Sequence, residues 1–438
     1  MAKKYTPDSH MSFRLEEALK FPWRVVGTPE WIKESIPANF PASNLITVHG
    51  RSEIEIVRKP LLETRVLGVD TESSGPREMD GLDAVSPSSR IVCGQIGTRN
   101  ETFVIEPRLI PEFGDILQDK NRLKLLQNAV HDFRFLMAKY GIHMCGVYCT
   151  MLAEQVLTAG MEGVGVGLAD LVRKYRPHRI ISKAVRNEFI RFDGRFTQQM
   201  LYYAARDIPL LFPLYDEQRV LLARDNLNRT AKREFDIIPV MAEMTLTGVY
   251  CDATYLRQTI AYYVKMQDKT VARIFEIYNN ELDKRGLIPM TLLGPDPVTW
   301  NLKSHQETKA RLKVINIHVE KTDYDTMIQL DHPIGKPLAD LSGYTKVLDN
   351  YGESMLERIH YHSGRIHTNV DQLGSGEHAQ RGGKDKKATI ATGRMSGDLM
   401  QLPRPEKIIA VLEKWEQDKV RAAFMDRILE LQQEKKAA

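Results

Sequence analysis

A short apolar run closed by two carboxylates limits this chain more than any other stretch: residues 66–75 read VLGVDTESSG, with Thr71 alone between Asp70 and Glu72. Val66, Leu67 and Val69 favour a strand fit for a core. Side chains two apart on a strand project to the same side, so the two carboxylates stand together and repel. Each needs a cation, and hard oxygen ligands suit Mg²⁺ or Mn²⁺, which bind through a few carboxylates plus substrate phosphate. The plainer reading is a strand whose solvated end is acidic; this stretch alone leaves both open.

Two more stretches add to the set. NAVHDFRFL (128–136) passes from strand to helix and puts Asp132 in a first turn, where the helix dipole favours a carboxylate. YYAARDIPLLF (202–212) puts Tyr203 and Asp207 at i and i+4, on one helical face. Singly, Asp132 reads as a helix-terminal charge and Tyr203 as a core aromatic beside a surface aspartate. Together, four carboxylates from three separate elements and one tyrosine are what a two-metal phosphodiesterase requires.

The surrounding pattern is α/β. RIVCGQIG (90–97), ETFVIEP (101–107) and KLLQNA (124–129) read as strands, and Phe133, Leu136, Met137 and Tyr140 mark a helix that Gly141 stops. Residues 1–62 are broken by Pro22, Pro29, Pro37 and Pro41, with a strand in LITVHG and a helix in RSEIEIVRKPLLE that Pro60 ends or kinks. No function is assigned to them. The glycine-rich GMEGVGVG (160–167) fits neither phosphate-loop pattern and reads as a connector. His143, Cys145 and Cys149 have no fourth zinc ligand nearby and read as core packing. From about residue 230 the chain is mostly helical: one helix ends at Gly248, and Asp252 caps a long one closed by Gly286.

Composition excludes little. The 438 residues, 42% hydrophobic, allow several cores, and a net charge of +4 permits a nucleic-acid partner without demanding one. Four scattered cysteines argue against a disulfide framework. With no run of 18 apolar residues and no signal-peptide pattern, a cytoplasmic protein without a membrane partner is expected.

The motifs DTE, NxxxD and YxxxD, in this order, resemble the DEDD superfamily of 3′–5′ exonucleases, in the branch with tyrosine in the third motif, which has a ribonuclease H-like fold. The resemblance implies that Asp70, Glu72, Asp132 and Asp207 hold the metal and that Tyr203, with Glu72, orients the attacking water. Two ions about 4 Å apart would lower the pKa of a water and stabilise the leaving 3′ oxygen. Asn128, in the second motif, would contact the terminal nucleotide or the backbone near it; Lys183 and Arg186 would meet phosphate or form a solvated surface.

The helical half resembles the thumb of family A DNA polymerases, in REFDIIPVMAEMTLTGVYCDATYL (233–256) and WNLKSHQETKARL (300–312). SGRIHTNV (363–370) and ATGRMSGDLMQLP (391–403) resemble the start of the palm. That likeness implies DNA contacts from Thr392, Arg394 and Gln401, with Arg394 in the minor groove near the primer terminus, reading shape more than sequence. TDYDTM (322–327) and KVLDNYG (346–352) mimic polymerase motifs but precede the TGR stretch, so they read as thumb. Past Phe424 no further aspartate motif or fingers helix follows. The expected organisation is an accessory segment (1–62), an exonuclease domain (63–225), thumb and start of palm (226–405) and a helical tail (406–438). The expected protein is the first part of a split bacteriophage polymerase. It would bind single-stranded 3′ ends and primer–template DNA, with palm and fingers on a second polypeptide, and would not polymerise alone. An RNA-trimming exonuclease, a non-catalytic clamping subunit and a truncated gene are the alternatives.

Overall fold

The strand-like runs pair into one seven-stranded sheet in a computed structural model of the chain, which describes residues 22–40, 44–75, 83–159, 161, 164–176, 185–190, 192–288, 300–367, 370–373 and 396–397. The chain divides into two units, one of residues 1–246 and 368–438 and one of residues 247–367. Lys183, Thr392, Arg394, Gln401 and the tail 406–438 lie outside the described residues.

In the first unit the strands are β1 (Trp23–Gly27), β2 (Leu45–Thr47), β3 (Val66–Ser74), β4 (Arg90–Gly97), β5 (Thr102–Ile105), β6 (Leu123–Leu126) and β7 (Val147–Cys149). Their order is β2-β1-β5-β4-β3-β6-β7. The pairs β3–β4 and β4–β5 are antiparallel and the rest parallel, so β3 lies inside the sheet between an antiparallel and a parallel neighbour. The helices are α1 (Pro29–Ser35), α2 (Arg51–Leu62), α3 (Gly114–Gln118), α4 (Ala129–Tyr140), α5 (Thr150–Leu157), α6 (Leu168–Tyr175), α7 (Arg186–Ile190), α8 (Gln198–Arg224) and α9 (Asn228–Thr247). Pro60 sits in the last turn of α2 without ending it early.

The main core gathers Leu67 and Val69 of β3, Phe103 of β5, and Phe133 and Leu136 of α4. A second core joins Trp23, Val25 and Phe40 to Phe189, Phe196 and Tyr203, so the segment ahead of residue 62 supplies two strands and part of the packing behind α8. Helix α8 starts where Thr197 accepts a bond from the Met200 amide. It then buries Leu201, Ala204, Ile208 and Leu211 against the sheet.

Two glycines make room for that helix against the strands. Gly68 and Gly97 are register partners across β3 and β4. A Cβ on either would stand 2.8 Å from Ile208 Cγ2, nearer than side-chain atoms approach without displacement. The pair of glycines therefore admits Ile208, and α8 settles on the stretch of β3 that leads into Asp70 and Glu72.

The second unit holds α10 (Ala253–Asp283), α11 (His305–Val314), α12 (Tyr324–Ile328), α13 (Gly335–Tyr351) and α14 (Glu353–Glu357), with a ribbon of β8 (Val249–Tyr250) and β9 (Arg365–Ile366). Phe275, Tyr278, Trp300, Leu312 and Leu338 form its core. The expected boundaries recur here: Gly248 takes φ +62° after α9, Asp252 accepts from the Tyr255 amide, and Gly286 takes φ +66° beyond α10. TDYDTM and KVLDNYG fall largely on α12 and α13. Back in the first unit, β10 (Val370–Asp371) pairs with β11 (Ser396–Gly397). Among the described residues no helix is long and apolar enough to cross a membrane.

Candidate active site

Strand alternation sets the first two groups. Gly68, Asp70 and Glu72 point to the side on which Ile208 packs, while Leu67 and Val69 enter the core. Pairing with β4 slips between Glu72 and Ser73, a bulge of the kind that re-aims a side chain. On α8, Asp207 is the neighbour of Ile208, and Tyr203 lies one turn earlier. One oxygen each from Asp70, Glu72 and Asp207 lie within 4.8 Å of one another; Asp70 is half-buried and the other two are buried. Among the described residues this is the one such group of three or more, and His143, Cys145 and Cys149 form none. Cys145 is exposed whereas Cys149 is buried.

Asp132 stands outside that trio and is held differently. Strand β6 stops at Leu126 while β3 runs on to Ser74, and β3–β6 pairing covers only Val66 to Gly68. Beyond the last pair the Thr71 amide donates not to a strand but to Asp132 Oδ1 at 2.9 Å, and the Thr71 hydroxyl donates to the same oxygen at 2.6 Å. Asn128, which precedes α4, is exposed and takes left-handed φ 57° and ψ 49° without a side-chain cap bond. Asparagine tolerates that region better than most residues, and strained backbone clusters at functional sites.

The charges bear the marks of crowding. Loss of hydration, and then the charges of Asp132, Glu72 and Asp207, push Asp70 well above the usual carboxylate range. Burial raises Glu72 as well, followed by Asp207 and opposed by Arg186. Burial lifts Asp132 to about 7 against the pull of the Thr71 bonds. It also raises Asp207, opposed by Arg206 and by a hydrogen bond from Tyr203. The Tyr203 phenol is pushed up by burial and then by Asp207, so it keeps its proton at neutral pH. Four carboxyls that resist ionising together will hold protons unless a cation joins them. Buried carboxylate oxygens this close are a donor set that fits a hard divalent ion.

The pocket over these groups has a volume of about 240 Å³ and is walled by Asn128, His131, Gly167, Leu168 and Arg186 as well as the carboxylates. The end of the glycine-rich stretch is thus part of the wall, fixed there by Gln127 Nε2 donating to the Val166 carbonyl at 2.9 Å. His131 and Arg206 were not singled out from sequence, although both lie inside the motif stretches. The His131 Nε2 is 3.2 Å from Ser73 Oγ, and burial lowers its pKa to about 3, leaving a neutral imidazole at the pocket.

The ribonuclease H-like sheet thus brings Asp70, Glu72 and Asp207 together beside Tyr203, with Asp132 held next to them by Thr71. Residues 45–222 match the family model of the 3′–5′ exonuclease domain of DNA polymerase A, and this segment is such a domain. Over 317 residues the chain is 26% identical to a DNA polymerase I of Chloroflexus aurantiacus, the match covering 69% of this chain and 31% of that protein. Over 328 residues it is 21% identical to a DNA polymerase I of Borreliella burgdorferi, covering 73% and 34%. The chain thus spans about a third of the length of these relatives, at 31% and 34%. Its fold is also similar to that of a solved structure, the POL domain of Pol1 from M. smegmatis in complex with DNA primer-template and dNTP. That match has a TM-score of 0.55 at 19% identity and covers 81% of this chain and 56% of the other. The fold likeness therefore extends past the exonuclease segment into the helical half.

Proposed function

We propose that this chain is a metal-dependent 3′–5′ DNA exonuclease that proofreads for a polymerase of the DNA polymerase I family. Asp70, Glu72, Asp132 and Asp207 would hold two Mg²⁺ ions, with Mn²⁺ as substitute. The observation that supports this reading best is the approach of Asp70, Glu72 and Asp207 oxygens to within 4.8 Å of one another, which like charges tolerate only around a proton or a cation. Bound ions would supply the charge that lets a water lose its proton near neutral pH and that stabilises the leaving 3′ oxygen.

The side chains do the rest. Tyr203, kept protonated, orients the attacking water together with Glu72. Thr71 fixes one oxygen of Asp132 and so presents the other, Oδ2, as a ligand. Asn128 meets the terminal nucleotide at the pocket wall, and the neutral His131 can accept or donate there without adding charge. DNA contacts by Lys183, Thr392, Arg394 and Gln401, the boundaries 1–62, 63–225, 226–405 and 406–438, and a second polypeptide bearing palm and fingers belong to the same proposal.

The test uses the full chain with Mg²⁺ and single-stranded DNA labelled at either end, beside an Asp70→Ala/Glu72→Ala double variant. Mononucleotides should leave the 3′ end, and only with the intact carboxylates. Digestion that persists in the double variant, or that starts from the 5′ end, rejects the assignment. Faster removal of a mismatched than a matched primer end checks the proofreading role.

A further inference from the structure

Arg206 directly precedes Asp207 on α8, yet its guanidinium folds back onto both groups that this helix brings to the proposed site. Its Nη2 and Nε lie 3.2 Å and 3.4 Å from Asp207 Oδ1. Its central carbon stands 4.9 Å from the centre of the Tyr203 ring and 5.9 Å from that of Tyr202. Only 14% of the Arg206 side chain and 10% of the Asp207 side chain are exposed, so the pair is shielded from water as a surface ion pair is not. A planar guanidinium held against a ring face and a carboxylate at once is fixed in position, which a lysine ammonium would not be.

An ion bound by Asp70, Glu72 and Asp207 needs that same Asp207 carboxylate. Both Arg206 contacts go to Oδ1, which leaves Oδ2 for an ion, but that ion would meet a carboxylate whose charge a cation already offsets. We propose that Arg206 is a resident counter-cation of the site: it offsets the charge of Asp207 and steadies the Tyr203 ring, and its charge opposes the uptake of a divalent ion there. This rests on the metal reading above and makes Arg206 a positioning residue whose charge sets how readily the ion is taken up. A unit charge about 6 Å from a divalent ion changes affinity on the order of tenfold even at the dielectric constant of water.

Calorimetric titration of the full chain with Mn²⁺, without nucleic acid, tests this in wild type, Arg206→Gln, Arg206→Met, Arg206→Lys and the Asp70→Ala/Glu72→Ala control. The two uncharged variants should bind Mn²⁺ on the order of tenfold more tightly, and should melt at lower temperature in the ion-free state. Arg206→Lys, which keeps the charge, should stay within about threefold of wild type. A merely structural arginine predicts the opposite pairing, with weaker ion binding accompanying the lost stability. Equal or weaker Mn²⁺ affinity in the uncharged variants, with the control unable to bind, overturns the proposal. Should the control titrate like wild type, the ion is not at these carboxylates, and the metal reading falls together with the proposal built on it. Either of the glutamine and methionine variants suffices should the other fail to fold.

Discussion

The slot formed by Gly68 and Gly97 makes the sharpest prediction, because it ties backbone packing to the geometry of the carboxylates. In Gly68→Ala the new Cβ would sit 2.8 Å from Ile208 Cγ2. Carbon atoms settle at about 3.5–4.0 Å, so either Ile208 leaves its rotamer or α8 retreats by about 1 Å. Overpacking of this kind costs about 1–3 kcal/mol, which lowers the melting temperature of a unit this size by only about 2–4 °C per kcal/mol and leaves the protein folded. Asp207 moves with Ile208, whereas Asp70 and Glu72 stay on β3, so a trio now within 4.8 Å is pulled apart. A misplacement of about 1 Å in a reacting constellation costs on the order of 100-fold in rate. Single-turnover hydrolysis of 3′-labelled single-stranded DNA at saturating Mg²⁺ should therefore fall by about that factor in Gly68→Ala. Ile208→Ala removes the obstructing methyl and alone costs about 2–5 kcal/mol as a cavity. Combined with Gly68→Ala it should destabilise by less than the sum of the two and restore much of the rate, since the sites are in contact. A Gly68→Ala enzyme at wild-type rate, or a double variant no faster than Gly68→Ala, refutes the role given to the slot.

Two other outcomes follow from the site. Because the carboxyls of Asp70, Glu72, Asp132 and Asp207 are raised in the folded protein, Asp132 to about 7, they favour folding fully only below the unfolded value near 4. That stability is lost as pH rises through the raised values, and an ion that binds the ionised form restores it. The rise in melting temperature caused by Mn²⁺ should accordingly be small at about pH 5 and grow toward about pH 8 at constant ionic strength; a shift that is flat or shrinks across that range contradicts the crowding. Thr71→Val removes the 2.6 Å bond to Asp132 and should cost about 1.5–3 kcal/mol in urea unfolding, with Thr71→Ser restoring most of it; equal stability of the valine variant and wild type would show that bond to be idle.

Those parts of the fold that depend on local pattern were legible in the chain itself. A two-residue period set Asp70 and Glu72 side by side, and a four-residue period did the same for Tyr203 and Asp207. The stops at Gly141, Gly248 and Gly286 and the cap at Asp252 followed from backbone chemistry that belongs to single residues. What local pattern could not show was pairing across distance. The partnership of Gly68 with Gly97, and the descent of Ile208 between them, depends on a register that neither segment encodes alone. The hold of Thr71 on Asp132 likewise depends on β6 ending early beside β3, and the place of β1 between β2 and β5 cannot be read from proline spacing. Arg206 lay in plain view within YYAARD, but arginine beside aspartate on a helix usually points elsewhere, and only the folded-back side chain marks it out.

The strand that leads the sheet has a practical bearing on how the exonuclease-like domain can be excised from the longer chain. The family match begins at residue 45, whereas β1 ends at Gly27 and lies hydrogen-bonded along β5. A fragment trimmed to the family boundary would bare one margin of β5 and strip the aromatic backing of Trp23 and Phe40 from the tyrosine wall. Bared margins invite strands from neighbouring molecules to add on. Such a piece would be prone to clump, and a fragment that keeps this sheet whole must begin ahead of Trp23.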